Sequence, residues 1–200
     1  TENTTVYGKW TGASTASYNV VIWYQNTSGT GYDYSGTTYK VENATVGQNT
    51  YQITVQNNNN ANTRYARIYG RNNNQNQYWG NSAINGFHLS TTAGTSGRGY
   101  DRPKPVAPEG TTVINVYYDR NIITFRFQYS YNDVTSISGL YESEVPEWPD
   151  PGAGNVWFFK NSYPLPDGVK YFTPAELISA DPAGTSFTFT RKTYNGTINV

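Results

Sequence analysis

The chain is organised around the stretch Gly110-Thr-Thr-Val-Ile-Asn-Val-Tyr-Tyr-Asp-Arg120. Side chains of a strand alternate between two faces, and the apolar residues of this stretch repeat with that period of two. The two faces are Ile114, Val116 and Tyr118 on one side and Val113, Asn115 and Tyr117 on the other. The polar residues 119–121 interrupt the run before a new apolar run begins at Ile122. This pattern predicts two consecutive strands, with a seam between two modules at residues 119–122.

The amino-acid composition favours strands over helices. Tyr is the commonest aromatic residue, with 19 copies in 200 residues, and only 14% of the residues are charged. Tyr and Thr suit the half-buried surface of a sheet, whereas the strong helix formers Ala, Leu and Glu are scarce. A chain of this length can form one large domain or two small ones. We therefore expect a mainly β protein with one or two short helices.

Charge and cysteine content exclude several classes of partner and cofactor. The formal net charge is zero and no basic run occurs, which argues against nucleic acid or an anionic membrane as the partner. No segment approaches the roughly 20 apolar residues of a membrane span. The chain has no Cys for a disulfide or a thiolate metal site, and we expect no cofactor. The chain has no signal peptide and does not begin with Met, so we expect a fragment of a larger protein. We also expect this fragment to be monomeric.

Three segments carry a resemblance to a known repeat family. Thr5-Val-Tyr-Gly-Lys-Trp-Thr11 and the stretch from Gly110 to Asn121 resemble the closing strand of the Listeria–Bacteroides repeats, or internalin-type B-repeats, with Gly8 where the family has Ala. Gly86-Phe-His-Leu89 resembles the Gly-Phe/Tyr-x-hydrophobic box of these repeats. Such repeats occur in tandem in bacterial surface proteins, and their fold resembles a small β-grasp module. The resemblance implies an extracellular bacterial location, either attached to the cell wall or secreted.

The recurrence of closing strands predicts three segments of unequal length. They are the closing strand of a preceding repeat at 1–12, a repeat-like β-grasp module at 13–121 and a second β-rich module at 122–200. The clearest strand of the second module is Ile122 to Tyr131, where Ile123, Phe125 and Phe127 share a face. Gly196-Thr-Ile-Asn-Val200 repeats the pattern of the first closing strand. We therefore expect two tandem β-rich modules, the first of them β-grasp-like.

Two segments are candidates for the helices. Thr63-Arg-Tyr-Ala-Arg-Ile-Tyr69 places apolar residues at helical spacing, but its residues also alternate as they would in a strand. We favour helix for this segment because a β-grasp module needs one near this position. Thr173-Pro-Ala-Glu176 combines a capping residue, a Pro at the first helical position and a capping box, and Asp181-Pro182 would end that helix.

The sequence offers little for catalysis. His88 is the only histidine, so a Ser–His triad or a two-histidine metal site has no second member. The acids Glu142, Glu144, Glu147 and Asp150 cluster near two tryptophans, and glycoside hydrolysis would require two of them facing across a cleft. We favour a solvated loop for these acids, and no calcium-loop motif is present. We therefore expect no catalytic residue and no metal site.

The candidate ligand-binding residues are Tyr78, Trp79, Trp148 and Trp157. Exposed Tyr and Trp rings stack on sugars and peptide side chains, and the Asn-rich segment 57–85 adds amides that can bond hydroxyl groups. Packing of these rings in the core is the alternative. With the resemblance, these features predict a non-enzymatic extracellular structural or spacer module of a repeat-containing bacterial surface protein. The alternative function is an adhesin module that binds a glycan or a host surface protein.

Overall fold

The computed structural model describes residue 8 and residues 11–160, 163–173 and 184–194. Strands make up 52% and helical segments 3% of the residues, which confirms the predicted mainly β fold. Two 3₁₀ turns, Ala61–Thr63 and Thr95–Gly97, are the helical segments in these ranges. The strands described are β1 (Thr15–Gln25), β2 (Tyr32–Thr45), β3 (Ile53–Gln56), β4 (Tyr65–Asn72), β5 (Gln75–Trp79), β6 (Phe87–Leu89), β7 (Val113–Arg120), β8 (Ile122–Ser130), β9 (Asp133–Leu140), β10 (Asn155–Phe159), β11 (Tyr163–Leu165) and β12 (Ser186–Thr193).

The stretch 110–120 contains β7, which lies inside a four-stranded sheet with the order β2-β1-β7-β6. β1 and β2 form an antiparallel hairpin, and β7 pairs with β1 in parallel from Asn19↔Val113 to Tyr24↔Tyr118. The predicted alternation is confirmed, because Ile114, Val116 and Tyr118 are each no more than 3% exposed. The strand begins at Val113, so the segment from Gly110 to Thr112 leads into it.

A second, three-stranded sheet with the order β3-β4-β5 packs against the first. The favoured helix over residues 63–69 is therefore wrong, because Tyr65–Asn72 forms the central strand β4 of this sheet. Pairing with β3 on one side and β5 on the other satisfies the β4 backbone, so tertiary pairing decides between two periods that the sequence left open. This sheet occupies the chain between β2 and β6, where we expected the helix of a β-grasp module.

Residues after the seam form a five-stranded sheet with the order β11-β10-β12-β8-β9. β8 and β9 form an antiparallel hairpin, and β12 pairs with β8 in parallel from Ser186↔Thr124 to Thr190↔Gln128. The two larger sheets thus share one topology, in which the first strand lies between its hairpin partner and a later parallel strand. In each sheet an antiparallel strand, β6 or β10, flanks that later strand. Each of these two sheets lies on one side of the seam, and their division into two separate modules stays a prediction.

The seam consists of one residue outside the strands, Asn121, between β7 and β8. Asn121 is 1% exposed, and every polar group of this residue has a partner. Its backbone N–H donates to Gly86 O at 2.8 Å and its carbonyl accepts from Tyr141 N at 2.9 Å. Its side-chain amide donates to Asn62 O at 3.0 Å and contacts His88 Nδ1 at 2.7 Å. The junction is therefore anchored to both units.

Three further predictions fall on residues outside the described ranges. They are the closing strand at 1–12, of which residues 8, 11 and 12 are described, the helix expected after Thr173 and the strand expected at 196–200. Within the described ranges, no helix has the length and apolar character that crossing a membrane requires.

Candidate functional site

The outer surface of the three-stranded sheet carries a group of tyrosine and arginine side chains. Alternation along β4 turns Ala66, Ile68 and Gly70 toward the four-stranded sheet, where all three are buried. Residues 67, 69 and 71 therefore point outward, together with Tyr78 on the paired strand β5. We define the Tyr/Arg face as Tyr51, Arg67, Tyr69, Arg71 and Tyr78.

The aromatic rings of the Tyr/Arg face contact one another in sequence. The ring centroids of Tyr51 and Tyr69 are 4.9 Å apart, and those of Tyr69 and Tyr78 are 5.1 Å apart. The rings meet at 76° and 53°, so they pack edge-to-face or tilted and do not form a flat stack. Tyr69 Oη donates to Asn76 Oδ1 at 2.9 Å, which fixes the direction of its ring. Tyr78 is the most open of the three, at 43% exposure.

Arg67 is the charged centre of the Tyr/Arg face. Its guanidinium carbon lies 4.0 Å from the centroid of the Tyr78 ring, in a cation–π contact. Within the part of the chain that the structure describes, Arg67 has no carboxylate partner and none of its side-chain N–H groups has a hydrogen-bond acceptor. Its Nε is shielded from solvent as well. A guanidinium binds planar acid groups through paired N–H donors, and the Nη groups of Arg67, unlike its shielded Nε, remain available for an anion.

The surrounding sequence is basic although the whole chain is neutral. Residues 43–100 contain no Asp or Glu and carry four arginines, Arg64, Arg67, Arg71 and Arg98. Arg64 and Arg98 line a separate open cleft of about 320 Å³ together with Tyr100 and Asn58. This stretch of the chain therefore carries an excess of positive charge, which favours anionic ligands over cationic ones.

Trp79, one of the predicted ligand-binding residues, belongs to the packing between the two sheets of the first unit. Its ring stacks on Tyr39 with a centroid separation of 5.8 Å and an interplanar angle of 26°. A Cβ added at Gly70 would lie 2.7 Å from the Trp79 ring and 2.8 Å from Val41. Gly70 is therefore required for the indole to fit, and the packing alternative describes Trp79 better than the ligand alternative.

Trp148 and Trp157 lie in the aromatic core of the second unit. Trp157 is 2% exposed, and its Nε1 donates to Pro149 O at 2.8 Å. The Trp148 ring lies 4.9 Å from both Phe127 and Phe189, and its Nε1 is buried without a partner among the described residues. Trp157 is buried, and Trp148 is half-buried and packs against the core. Of the four predicted residues, Tyr78 alone is exposed enough to offer its ring to a ligand.

The acids near these tryptophans do not converge on one point. Glu142 forms an ion pair with Arg120 at the seam, and its side chain remains 45% exposed. Asp150 Oδ1 accepts from the backbone N–H of Gly152 at 2.7 Å and shapes the loop there. Glu144 and Glu147 are exposed, as a solvated loop would have them. Among the described residues, no group of three His, Cys, Asp or Glu side chains could hold a metal ion.

A cavity of about 150 Å³ lies between the two sheets of the first unit. Its lining residues with hydroxyl groups are Tyr24, Thr37, Tyr39, Ser82 and Tyr118. Burial raises the pKa of both Tyr24 and Tyr118, so these phenols remain neutral at physiological pH. Tyr118 Oη accepts from Ala66 N at 3.0 Å and ties β7 to β4. A cavity of this size holds a few waters or one small ring, and its lining carries no charge.

The sequence already contained a signal for Arg67 and Tyr69. Alternation of Tyr65, Arg67 and Tyr69 is the strand period that we weighed against the helical one, and only pairing with β3 and β5 identified the correct period. The contact of Tyr51 with Tyr69 has no sequence signal, because Tyr51 lies outside the strands.

Comparison with known proteins gives no relative for this chain. No family model, curated protein or solved structure matches it. The fold and the Tyr/Arg face are therefore the basis for proposing a function.

Proposed function

We propose that this chain is a non-enzymatic, load-bearing spacer of a bacterial cell-surface protein built from Listeria–Bacteroides-type repeats. The observation that carries the proposal is the parallel pairing of the first strand with a later strand in each of the two larger sheets. A spacer that holds a distal domain away from the cell wall must resist pulling at its two ends. The strand arrangement suits that task for the following reason.

In the first unit, the chain enters at the Thr15 end of β1 and leaves at the Arg120 end of β7. Because β1 and β7 are parallel, these two points lie at opposite ends of the sheet. Tension along the chain then acts along the strands and loads the β1–β7 hydrogen bonds together, in shear. An antiparallel hairpin pulled at its adjacent ends would instead lose its hydrogen bonds one after another.

The second unit repeats this geometry, with entry at Ile122 on β8 and exit at Thr193 on β12. Asn121 alone connects β7 to β8, so tension passes from one unit to the next without a slack linker. The hydrogen bonds of Asn121 to Gly86, Tyr141 and Asn62 hold this connection in place. Two units in series with a fixed junction support the role of a stalk.

Single-molecule pulling tests this proposal, and the absence of cysteine allows handles to be attached at chosen positions. One protein carries Gly12→Cys and Thr193→Cys, which load both parallel pairs in shear. The control carries Gly12→Cys and Thr45→Cys, which peel the antiparallel β1–β2 hairpin because Thr15 pairs with Thr45. We expect the first protein to unfold at a clearly higher force than the control at the same loading rate. Equal forces in the two geometries would rule out a load-bearing role.

The family assignment within this proposal has its own test. The gene sequence on both sides of this chain should encode further repeats of the same kind and a cell-wall sorting signal. Flanking sequence that encodes a cytoplasmic enzyme would overturn the assignment and the extracellular location together.

A second candidate function, an adhesin module, is favoured by one observation. The Tyr/Arg face combines an exposed Tyr78 ring with an arginine that has no acceptor among the described residues. A spacer needs neither feature.

A further inference from the structure

We propose that the Tyr/Arg face binds an acidic glycan, meaning a chain of sugar rings that bear carboxylate or sulfate groups. The proposal does not depend on the spacer function, because a protein can bear load without binding a glycan and can bind a glycan without bearing load. It assigns a role to Arg67, Tyr69 and Tyr51 in addition to Tyr78. Three properties of the Tyr/Arg face support it, namely its charge, its shape and the polar groups around its rings.

The first property of the Tyr/Arg face is its positive charge. Arg67 and Arg71 point from the same face of β4, and neither has an ion-pair partner among the described residues. The two strands that flank β4, β3 and β5, contain no acid that could neutralise them. One N–H of Arg71 donates to Asn74 O at 3.4 Å, whereas no side-chain N–H of Arg67 donates to an acceptor among the described residues. The face therefore attracts anions and offers them unused guanidinium donors.

The second property is the shape of the face, a row of aromatic rings beside a flat cation. The Tyr78 ring supports the Arg67 guanidinium at 4.0 Å, so the cation is held flat instead of extending into solvent. Two further rings, Tyr69 and Tyr51, continue the row at intervals of 5.1 and 4.9 Å. A sugar chain presents apolar ring faces and acidic substituents in alternation, and a row of aromatic rings beside a flat cation matches that alternation. A simple inorganic anion would use the cation and leave the row of rings unused.

The third property is the presence of exposed polar side chains around the rings, where a ligand can reach them. Asn76 on β5 is exposed on the same side as Tyr78, and Thr54 is exposed on β3 opposite Arg67. Amide and hydroxyl groups can each donate and accept, which suits the hydroxyl groups of sugars. An acidic peptide would match the charge, but it would make less use of the row of rings and of these groups. The observations therefore favour a glycan over a peptide.

The test measures binding of four probes to the whole chain by titration calorimetry at low ionic strength. They are a heparin hexasaccharide, which bears sulfate and carboxylate, a hyaluronan hexasaccharide, which bears carboxylate only, neutral chitohexaose, and a hexaglutamate peptide. We expect binding of one or both acidic glycans, at least tenfold weaker binding of the other two probes, and weakening by added salt. The two acidic glycans distinguish sulfate from carboxylate as the recognised group. Tight binding of hexaglutamate or chitohexaose, or no binding of either acidic glycan, would overturn the proposal.

Variants locate the site. Arg67→Gln should weaken acidic-glycan binding at least tenfold at an unchanged melting temperature, and Arg67→Lys should recover only part of it because the flat fork is lost. Tyr78→Phe should retain binding, whereas Tyr78→Leu should lose it. The matched control is Arg191→Gln, which removes a cation that lies over Tyr129 at 5.4 Å in the second unit. Equal loss in Arg67→Gln and Arg191→Gln would mean attraction to net charge alone and would contradict the proposed site.

Discussion

Asn121 Oδ1 lies 2.7 Å from His88 Nδ1, and this contact joins the seam residue to the only histidine of the chain. His88 is half-buried on β6, and Asn121 is 1% exposed between β7 and β8. The oxygen of the Asn121 amide accepts, so Nδ1 of the imidazole carries the proton of this hydrogen bond. His88 thus helps to hold the junction.

Removing the Asn121 side chain should destabilise the protein measurably. Asn121→Ala leaves Asn62 O and His88 Nδ1 without their partners, which costs about 1–3 kcal/mol of unfolding free energy for buried groups. We expect lower stability in urea denaturation at an unchanged dependence on urea concentration. The control is Asn59→Ala, because the Asn59 side chain is exposed and its backbone is not in the left-handed region. If the two variants are equally stable, the anchored junction is not a stabilising feature.

The two units should each fold, but the intact chain should be more stable than either piece. The seam contributes the Phe87–Tyr141 ring contact at 5.5 Å and the hydrogen bond from Arg120 to Tyr141 O at 2.8 Å, and separation removes both. We would express residues 13–121 and 122–200 alone and melt each beside the intact chain. Failure of both pieces to fold would mean one cooperative domain and would contradict the two-module prediction.

Truncation of Trp79 should affect stability and leave glycan binding to the Tyr/Arg face largely intact. Trp79→Ala empties the space beside Tyr39 and Gly70 and should cost about 2–4 kcal/mol, less than a fully buried Trp would. At about 2–4 °C for each kcal/mol, the melting temperature should fall by several degrees. Calorimetry and binding should be measured on the same sample, with Trp79→Phe as the milder variant. Loss of binding at an unchanged melting temperature would mean that Trp79 contacts the ligand, and it would contradict the packing role.

Stability should decline in alkali because of buried phenols. Burial raises the pKa of Tyr18 from 10.0 to about 12 and also raises that of Tyr118. Between pH 10 and 12 the unfolded chain therefore loses phenolic protons that the folded chain keeps, so unfolding is favoured as the pH rises. Below pH 10 both states hold these protons, and this contribution to stability is fully present.

Urea denaturation at intervals from pH 8 to pH 12 measures the alkaline effect. Tyr18→Phe should flatten the decline, since a phenylalanine has no proton to lose, although it also removes the acceptor of Tyr51 N. Tyr131→Phe is the control, because Tyr131 is 89% exposed. A decline that stays the same in Tyr18→Phe would show that other groups control the alkaline limit.

The division of the chain was predictable because it rests on local patterns. Alternation at period two identified β7 and β8, and the polar interruption located the seam to within two residues of Asn121. Short apolar runs are ambiguous in this respect, and residues 63–69 satisfied both a helical and a strand period. Strand pairing resolves the ambiguity, since Ile68 pairs with Ile53 on β3 and with Trp79 on β5. These pairings give the backbone groups of β4 their hydrogen-bond partners.

The candidate site was only partly predictable. Composition and position pointed to four aromatic residues, but burial depends on which strands cover a ring. Trp148 and Trp157 are covered by Phe127 and Tyr129 of a distant strand, whereas Tyr78 faces away from the other sheet.

The sequence by itself determined the mainly β character, the positions of the seam strands and the absence of thiol chemistry, because composition and alternation are local properties of the chain. The tertiary structure alone decided that the first and later strands pair in parallel, that Trp79 fills the space between two sheets and that Arg67 lies on Tyr78 without an acceptor among the described residues. These features depend on contacts between residues far apart in the chain. Such contacts are set by which surfaces cover each other, and a local pattern does not specify that.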